Sequence, residues 1–151
     1  MIVYRAVKAK RANDLSGYGA SLAGGRWNHK GTSVIYTSGT PELALLELTV
    51  HLDAIKIPKS IVITEIEIDS RSFIQMDPST LKSNWPANPY PNALPDFGTQ
   101  WVDSQRSLVL KVPSAIMPLS FNYIINPRHV DITKVKVTAQ HPVNYDPRLK
   151  K

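Results

Sequence analysis

The sequence contains no cysteine. That absence excludes disulfides, cysteine-ligated zinc, iron–sulfur clusters and thiol nucleophiles together. No apolar run approaches the roughly 20 residues that cross a bilayer. The opening MIVYRAVKAKRAND lacks the ordered regions of a secretory leader, so a cytoplasmic location without membrane attachment is the expectation. The four histidines, at 29, 51, 129 and 141, have no metal-ligand spacing, and His-Glu-x-x-His does not occur. No metal is expected. Gly17-Tyr18-Gly19 and Gly24-Gly25 do not make a dinucleotide fingerprint, and a P-loop is missing. Neither Ser107 nor Ser114 sits in a glycine elbow, which argues against a hydrolase-type serine nucleophile.

What is present is 151 residues, 42% of them apolar, enough for one domain over 1–151 with a core of its own. The formal charge of +6 favours an anionic partner: nucleic acid, a phosphate-bearing small molecule or an acidic protein. The charge is dispersed. Its only clusters, KAKR at 8–11 and RLKK at 148–151, read either as solvated ends or as a nucleic-acid patch.

Along the chain, MIVYRAV alternates as a strand does, and KAKRANDLSGYGASLAGG reads as a long polar loop. SVIYTS is a short β-branched strand. Thr40-Pro41-Glu42 combines a capping hydroxyl, a first-turn proline and an acid at the positive end of the dipole, so it starts a helix that runs roughly to Asp53. SIVITEIEID alternates strictly, with a further strand near SFIQM. Residues 84–98, rich in Pro and Asn, read as a loop carrying Trp85, Tyr90 and Phe97. TQWVDSQ reads as a short helix, and SLVLKVPSAIM, FNYIINPRH and VDITKVKVTA as apolar or strand segments. The sum is α+β, a single domain with a mixed or antiparallel sheet and few helices.

Four residues stand out chemically. On the wheel of the 41–53 helix, Glu42 and Thr49 share a sector expected to face water. Leu43, Leu46 and Val50 form the opposite stripe, and Glu47 falls inside that apolar arc. A carboxylate there is either paired with a strand arginine or belongs to a site. Arg26 follows Gly24-Gly25, which permit close approach of a ligand; it either clamps an anion through two parallel hydrogen bonds or stacks on Trp27. Arg5 shares a strand face with Val3 and Val7 and needs an anionic partner. Tyr36 lies mid-strand and, taken alone, reads more commonly as a half-buried core tyrosine than as a site residue.

These segments resemble the RES-domain toxins of RES–Xre toxin–antitoxin pairs over about residues 2–130: VYRAV, GYGASLAGGRWNHKGTSVIYTS, ELALLELTVHL and VLKVPSAIMP followed by NYIINPRH. The resemblance implies a fold like that of the ADP-ribosyltransferases. It also implies action on NAD as a substrate, with no separate cofactor, breaking the nicotinamide–ribose bond by a glycohydrolase or phosphorolase reaction, or by transfer of ADP-ribose to a protein. The family arginine, glutamate and serine match Arg26, Glu47 and Ser114, with Ser107 as the alternative serine; Tyr36 and Arg5 match further site positions. Arg26 and Arg5 are then expected to share the pyrophosphate, Tyr36 to lie against nicotinamide, Glu47 to face the reacting ribose and Ser114 to hold the nicotinamide side. The implied partner is an Xre-type helix-turn-helix antitoxin, through which alone DNA would be reached. The chain departs from the family in AIMPLSF, where an acidic residue is common. A reading of another class, a non-catalytic basic binding module, expects clustered Lys/Arg interleaved with exposed aromatics. The dispersed charge and the glutamate in an apolar arc favour the enzyme.

Overall fold

The computed structural model describes residues 1–53 and 55–150; Lys151, last of the C-terminal basic cluster, lies outside the described residues. The strands are β1 (Ile2–Val7), β2 (Ile35–Ser38), β3 (Ser60–Glu67), β4 (Phe73–Gln75), β5 (Val109–Pro113), β6 (Phe121–Ile125) and β7 (Lys136–Asn144). The helices are α1 (Tyr18–Ala23), α2 (Pro41–His51) and α3 (Ala93–Ser104). The strands form one seven-stranded sheet in the order β4-β5-β6-β2-β1-β3-β7. Only β4 and β5 run parallel, so the sheet is mixed and the class is α+β.

Between β2 and β1 the pairing narrows to Tyr4 opposite Ser38, whereas β1 and β3 pair along their length from Ile2–Glu67 to Val7–Val62. The period of two then assigns faces. Tyr36, Ser38, Leu110, Val112, Asn122 and Ile124 share one face; Ile35, Thr37, Val109, Tyr123 and Ile125 share the other. Each face builds its own core. Val3, Ile35, Ile66, Leu108, Val109 and Ile125 make one. Trp27, Trp101, Val102, Leu110, Val112 and Ile124 make the second, with Trp85, Tyr90 and Phe97 packed against it. The three aromatics of 84–98, of which Phe97 lies in α3, are therefore packed onto the core rather than held out, and Phe97 meets Trp27 edge-on at 6.4 Å.

Several segments differ from the sequence expectation. Part of the polar loop at 8–25 is helical, because Gly17 and Gly24 supply positive φ at either end of α1. The helix expected at TQWVDSQ begins earlier, at Ala93. Pro95 sits in its first turn, where a missing N–H costs no intrahelical bond. The last strand also starts late. His129 Nδ1 accepts from the Asp131 amide at 3.1 Å, Val130–Lys134 winds into a 3₁₀ turn, and β7 then runs on through Pro142. Proline is tolerated there because β7 is an edge strand.

α2 starts as expected, with Thr40 Oγ1 accepting from the Leu43 amide at 3.2 Å, a cap of about 1 kcal/mol. Its rotation is different. Leu43, Ala44 and Thr49 are buried, while Leu46 and Val50 are exposed. Apolar side chains surround this helix on most sides, so spacing selects no face. The C-terminal segment selects it: the buried Tyr145 hydroxyl donates to Thr49 Oγ1 at 3.3 Å, and Lys150 Nζ donates to the Thr49 carbonyl at 3.0 Å. Thr49 itself satisfies its hydroxyl on the Leu45 carbonyl at 2.8 Å.

α3 seats on the loop after α1 through Gly98. A Cβ at this position would overlap the Trp27 carbonyl oxygen and lie 2.6 Å from its carbon, with backbone that cannot rotate away. In an ordinary helix Gly→Ala stabilises by about 1 kcal/mol. Here Gly98→Ala is expected to do the reverse, by on the order of 1–3 kcal/mol, lowering the thermal midpoint by roughly 3–10 °C. Thermal unfolding followed by circular dichroism checks the sign.

Candidate active site

Glu47 projects from the middle of α2 toward the β5–β6 hairpin. Its Oε1 accepts two hydrogen bonds, from Ser114 Oγ at 2.8 Å and from Asn122 Nδ2 at 2.6 Å. Ser114 follows β5 directly, and its amide closes the hairpin on the Ser120 carbonyl at 2.9 Å. The Ser114 hydroxyl is fully used. Its hydrogen goes to Glu47, and its oxygen accepts from the amides of Ile116 and Met117, both at 3.2 Å. This differs from the expected contact with the nicotinamide side, for which no donor is left.

The two candidate serines separate cleanly. Ser107 is buried in the core, accepting from the Trp101 indole at 2.9 Å and donating to the Val109 carbonyl at 2.9 Å. It supports α3 against the sheet and touches no site residue. Ser114 touches Glu47.

Tyr36 and Arg26 come from β2 and from the loop before it. The Tyr36 hydroxyl donates to Asn28 Oδ1 at 2.5 Å and accepts from the Trp27 amide at 3.2 Å. Asn28 is buried and in turn donates to the carbonyls of Ala20 and Thr32. Burial pushes the Tyr36 hydroxyl well above the usual phenol range, with the Trp27 amide opposing, so it stays neutral in the working range. Gly25 fits under this hydroxyl; a Cβ would stand 2.7 Å from Tyr36 Oη and 2.9 Å from Asn28 Oδ1. The close approach expected at the glycine pair is thus made by the protein's own tyrosine at Gly25.

Locked in this way, the loop turns Arg26 toward the segment before α3. Arg26 Nη1 donates to the carbonyls of Trp85 at 2.7 Å and Ala87 at 3.0 Å, and the guanidinium lies over the Tyr90 ring at 5.3 Å. Arg26 does not stack on Trp27, which is buried in the core. Burial lowers the Arg26 pKa; Glu47, Tyr90 and Tyr36 act against that shift, which groups these four side chains in one electrostatic neighbourhood. Both Nη1 hydrogens are taken. The Nε–Nη2 edge has no protein acceptor among the described residues, which leaves a two-hydrogen-bond fork for an anion.

Arg5 is not brought to this cluster. It sits opposite Thr64, on the face of β1 that carries Val3, whereas Tyr4 shares the face of Ser38 and Tyr36. Its Nη1 donates to the Asp14 carbonyl at 2.6 Å and pins the 8–17 segment to the sheet. Burial lowers its pKa, with Asp14 opposing and Arg11 adding to the shift. Arg5 and Arg26 therefore share no hydrogen-bond partner: Arg5 is committed to the Asp14 carbonyl and Arg26 to those of Trp85 and Ala87. Asn122, Ser38 and Asn28 were missed by the sequence reading, whereas Tyr90 was named among the aromatics of 84–98. The first two carry a signal only in the β2–β6 register, where Ser38 stands opposite Asn122.

Comparison with known proteins identifies the family. The RES domain model matches residues 2–146. "Toxin Res" of Yersinia enterocolitica serotype O:8 is 37% identical over 153 residues, covering 99% of this chain and 100% of the relative. The "Prs ADP-ribosylating toxin" of a Sphingobium species is 38% identical over 141 residues, covering 91% of this chain and 88% of that protein. Among solved structures, a chain of the M. tuberculosis MbcT–MbcA toxin–antitoxin complex shares the fold, with a TM-score of 0.71 and 17% identity over 99% of this chain and 86% of that one. With a family match that runs nearly end to end and curated toxins more than a third identical along it, the chain belongs to the RES-domain family of toxins.

Proposed function

We propose that this toxin consumes NAD, cleaving the bond between nicotinamide and ribose, and that a cognate Xre-type antitoxin restrains it in the cytoplasm. The observation that carries the reading is Glu47: a half-buried carboxylate with one oxygen tied down by two donors, in the same electrostatic neighbourhood as an arginine whose fork is open.

The chemistry follows from those groups. The Nε–Nη2 edge of Arg26 fits two oxygens of the NAD pyrophosphate, and the Trp85 and Ala87 carbonyls hold it in place for that contact. Tyr36, rigid through Asn28, offers its ring as a wall for nicotinamide. When the C1′–N bond breaks, its electron pair moves onto the pyridinium nitrogen and nicotinamide leaves neutral. Positive charge develops on the ribose. The Glu47 carboxylate stabilises that charge and binds the ribose hydroxyls. Water, inorganic phosphate or a protein side chain then supplies the electron pair to C1′, and the proton that water or a side chain sheds on bonding goes to solvent. NAD enters as substrate, with no further cofactor and no metal.

A second reading, transfer of ADP-ribose to a protein, is favoured by the ADP-ribosylating relative. Incubating the purified protein with NAD, with and without phosphate and with a cell extract, separates the two. Free nicotinamide with ADP-ribose or its phosphate ester supports cleavage. Label from adenine-labelled NAD retained on protein supports transfer. Intact NAD in every arm overturns both and leaves a binding module.

Two substitutions test the roles. Glu47→Gln keeps the shape and is expected to lower NAD consumption on the order of a hundredfold or more, with the fold retained. Arg26→Lys keeps the charge and loses both the fork and one of the two Nη1 contacts. The KM for NAD is expected to rise roughly tenfold. The 84–92 segment should become more sensitive to proteolysis, since its anchor is weakened. A normal KM in a folded Arg26→Lys protein would remove the pyrophosphate contact from the mechanism.

A further inference from the structure

Asn122 makes the shorter of the two hydrogen bonds to Glu47. Its amide has four hydrogen-bonding positions. One Nδ2 hydrogen goes to Glu47 Oε1 at 2.6 Å, and Oδ1 accepts from Ser38 Oγ at 2.8 Å. The two contacts define the amide's orientation. Turned over, Asn122 would set its carbonyl oxygen against the Glu47 carboxylate, two acceptors with no hydrogen between them. It would also give up the Ser38 bond in its present sense. Ser38 is itself buried, and it is fixed by backbone pairing with Asn122 on one side and Tyr4 on the other, where the two parts of the sheet join.

Ser114 reaches the same Oε1 from the hairpin turn. Two donors on one oxygen, from two separate backbone segments, hold the carboxylate in one orientation. Oε2 receives no hydrogen bond among the described residues, so one defined oxygen of Glu47 is unengaged. We propose that Asn122, oriented by Ser38, is a positioning residue that fixes the orientation of the Glu47 carboxylate, and so where its free oxygen meets the reacting ribose. It acts through Glu47 and touches no substrate. The proposal rests on the reading of Glu47 as the carboxylate that faces the ribose.

The test is a double-mutant cycle on NAD consumption using Asn122→Ala, Glu47→Gln and the pair, with the fold of each checked by thermal unfolding. Because misplacing a reacting group by about 1 Å costs on the order of a hundredfold, Asn122→Ala is expected to lower kcat roughly 10- to 100-fold while the KM for NAD moves less than about threefold. In the Glu47→Gln background the same substitution should cost less than about twofold, since its target is already lost. Ser38→Ala keeps Asn122 but removes one of the two contacts that orient its amide, so a smaller loss in kcat, roughly two- to tenfold, is expected at unchanged KM. This variant also decides the matter if Asn122→Ala does not fold. An inactive Glu47→Gln protein together with normal kcat in Asn122→Ala, or in Ser38→Ala where Asn122→Ala is unfolded, overturns the positioning role and leaves the functional reading intact. Full additivity of the two losses overturns it as well. Near-normal turnover in Glu47→Gln removes the functional reading, and this inference with it.

Discussion

One carboxylate oxygen, Glu47 Oε1, is where a helix, a strand and a hairpin turn must meet within hydrogen-bond distance. The demand reaches far. α2 must present Glu47 inward, which the Tyr145 and Lys150 contacts with Thr49 secure from the opposite end of the chain. β6 must hold its register against β2, because a slip of one residue would carry Asn122 to the other face and put Tyr123 in its place. The turn after β5 must be tight enough for Ser114 to collect two amides and still reach across. Charge-assisted bonds of this kind are strong when every partner is satisfied and costly when one is lost, so the arrangement tolerates little error.

The second part of the site is built by exclusion. Gly25 lets the Tyr36 hydroxyl and the Asn28 amide close beneath the loop, and Gly98 lets α3 press onto the Trp27 backbone from outside. Between these two close approaches the loop has few conformations left. Arg26 is what it presents. The guanidinium is held by backbone carbonyls rather than by a carboxylate, so its positive charge is oriented without being neutralised. That is the condition an anion-binding arginine has to meet.

Dispersed basic charge gives the molecule a general attraction for anions, and the geometry converts that into a location. Arg5 illustrates the difference. It carries the same charge as Arg26, but its side chain is committed to the Asp14 carbonyl on the opposite face of the sheet.

The sequence by itself determined a good deal. Strand alternation in MIVYRAV and SIVITEIEID, the Thr40–Pro41 cap of α2 and the mixed α+β class are local or composition-level properties, and local physics suffices for them. The segments around Arg26, Tyr36, Glu47 and Ser114 were legible through their order and their family resemblance. Tertiary structure alone decided which face of α2 is buried, since Leu46 and Val50 are apolar like Leu43 and the choice goes with contacts from remote segments, Tyr145 and Lys150 on Thr49 and Ser114 and Asn122 on Glu47. It decided between Ser107 and Ser114, two serines bracketing one strand, by placing the first under Trp101 and the second on Glu47. It committed Arg5 and Arg26 to different carbonyls and brought Asn122 and Ser38 together across a sheet from positions 84 residues apart. Each of these is a contact between segments remote in sequence. Spacing along a chain carries no information about such contacts until the register of the sheet is fixed.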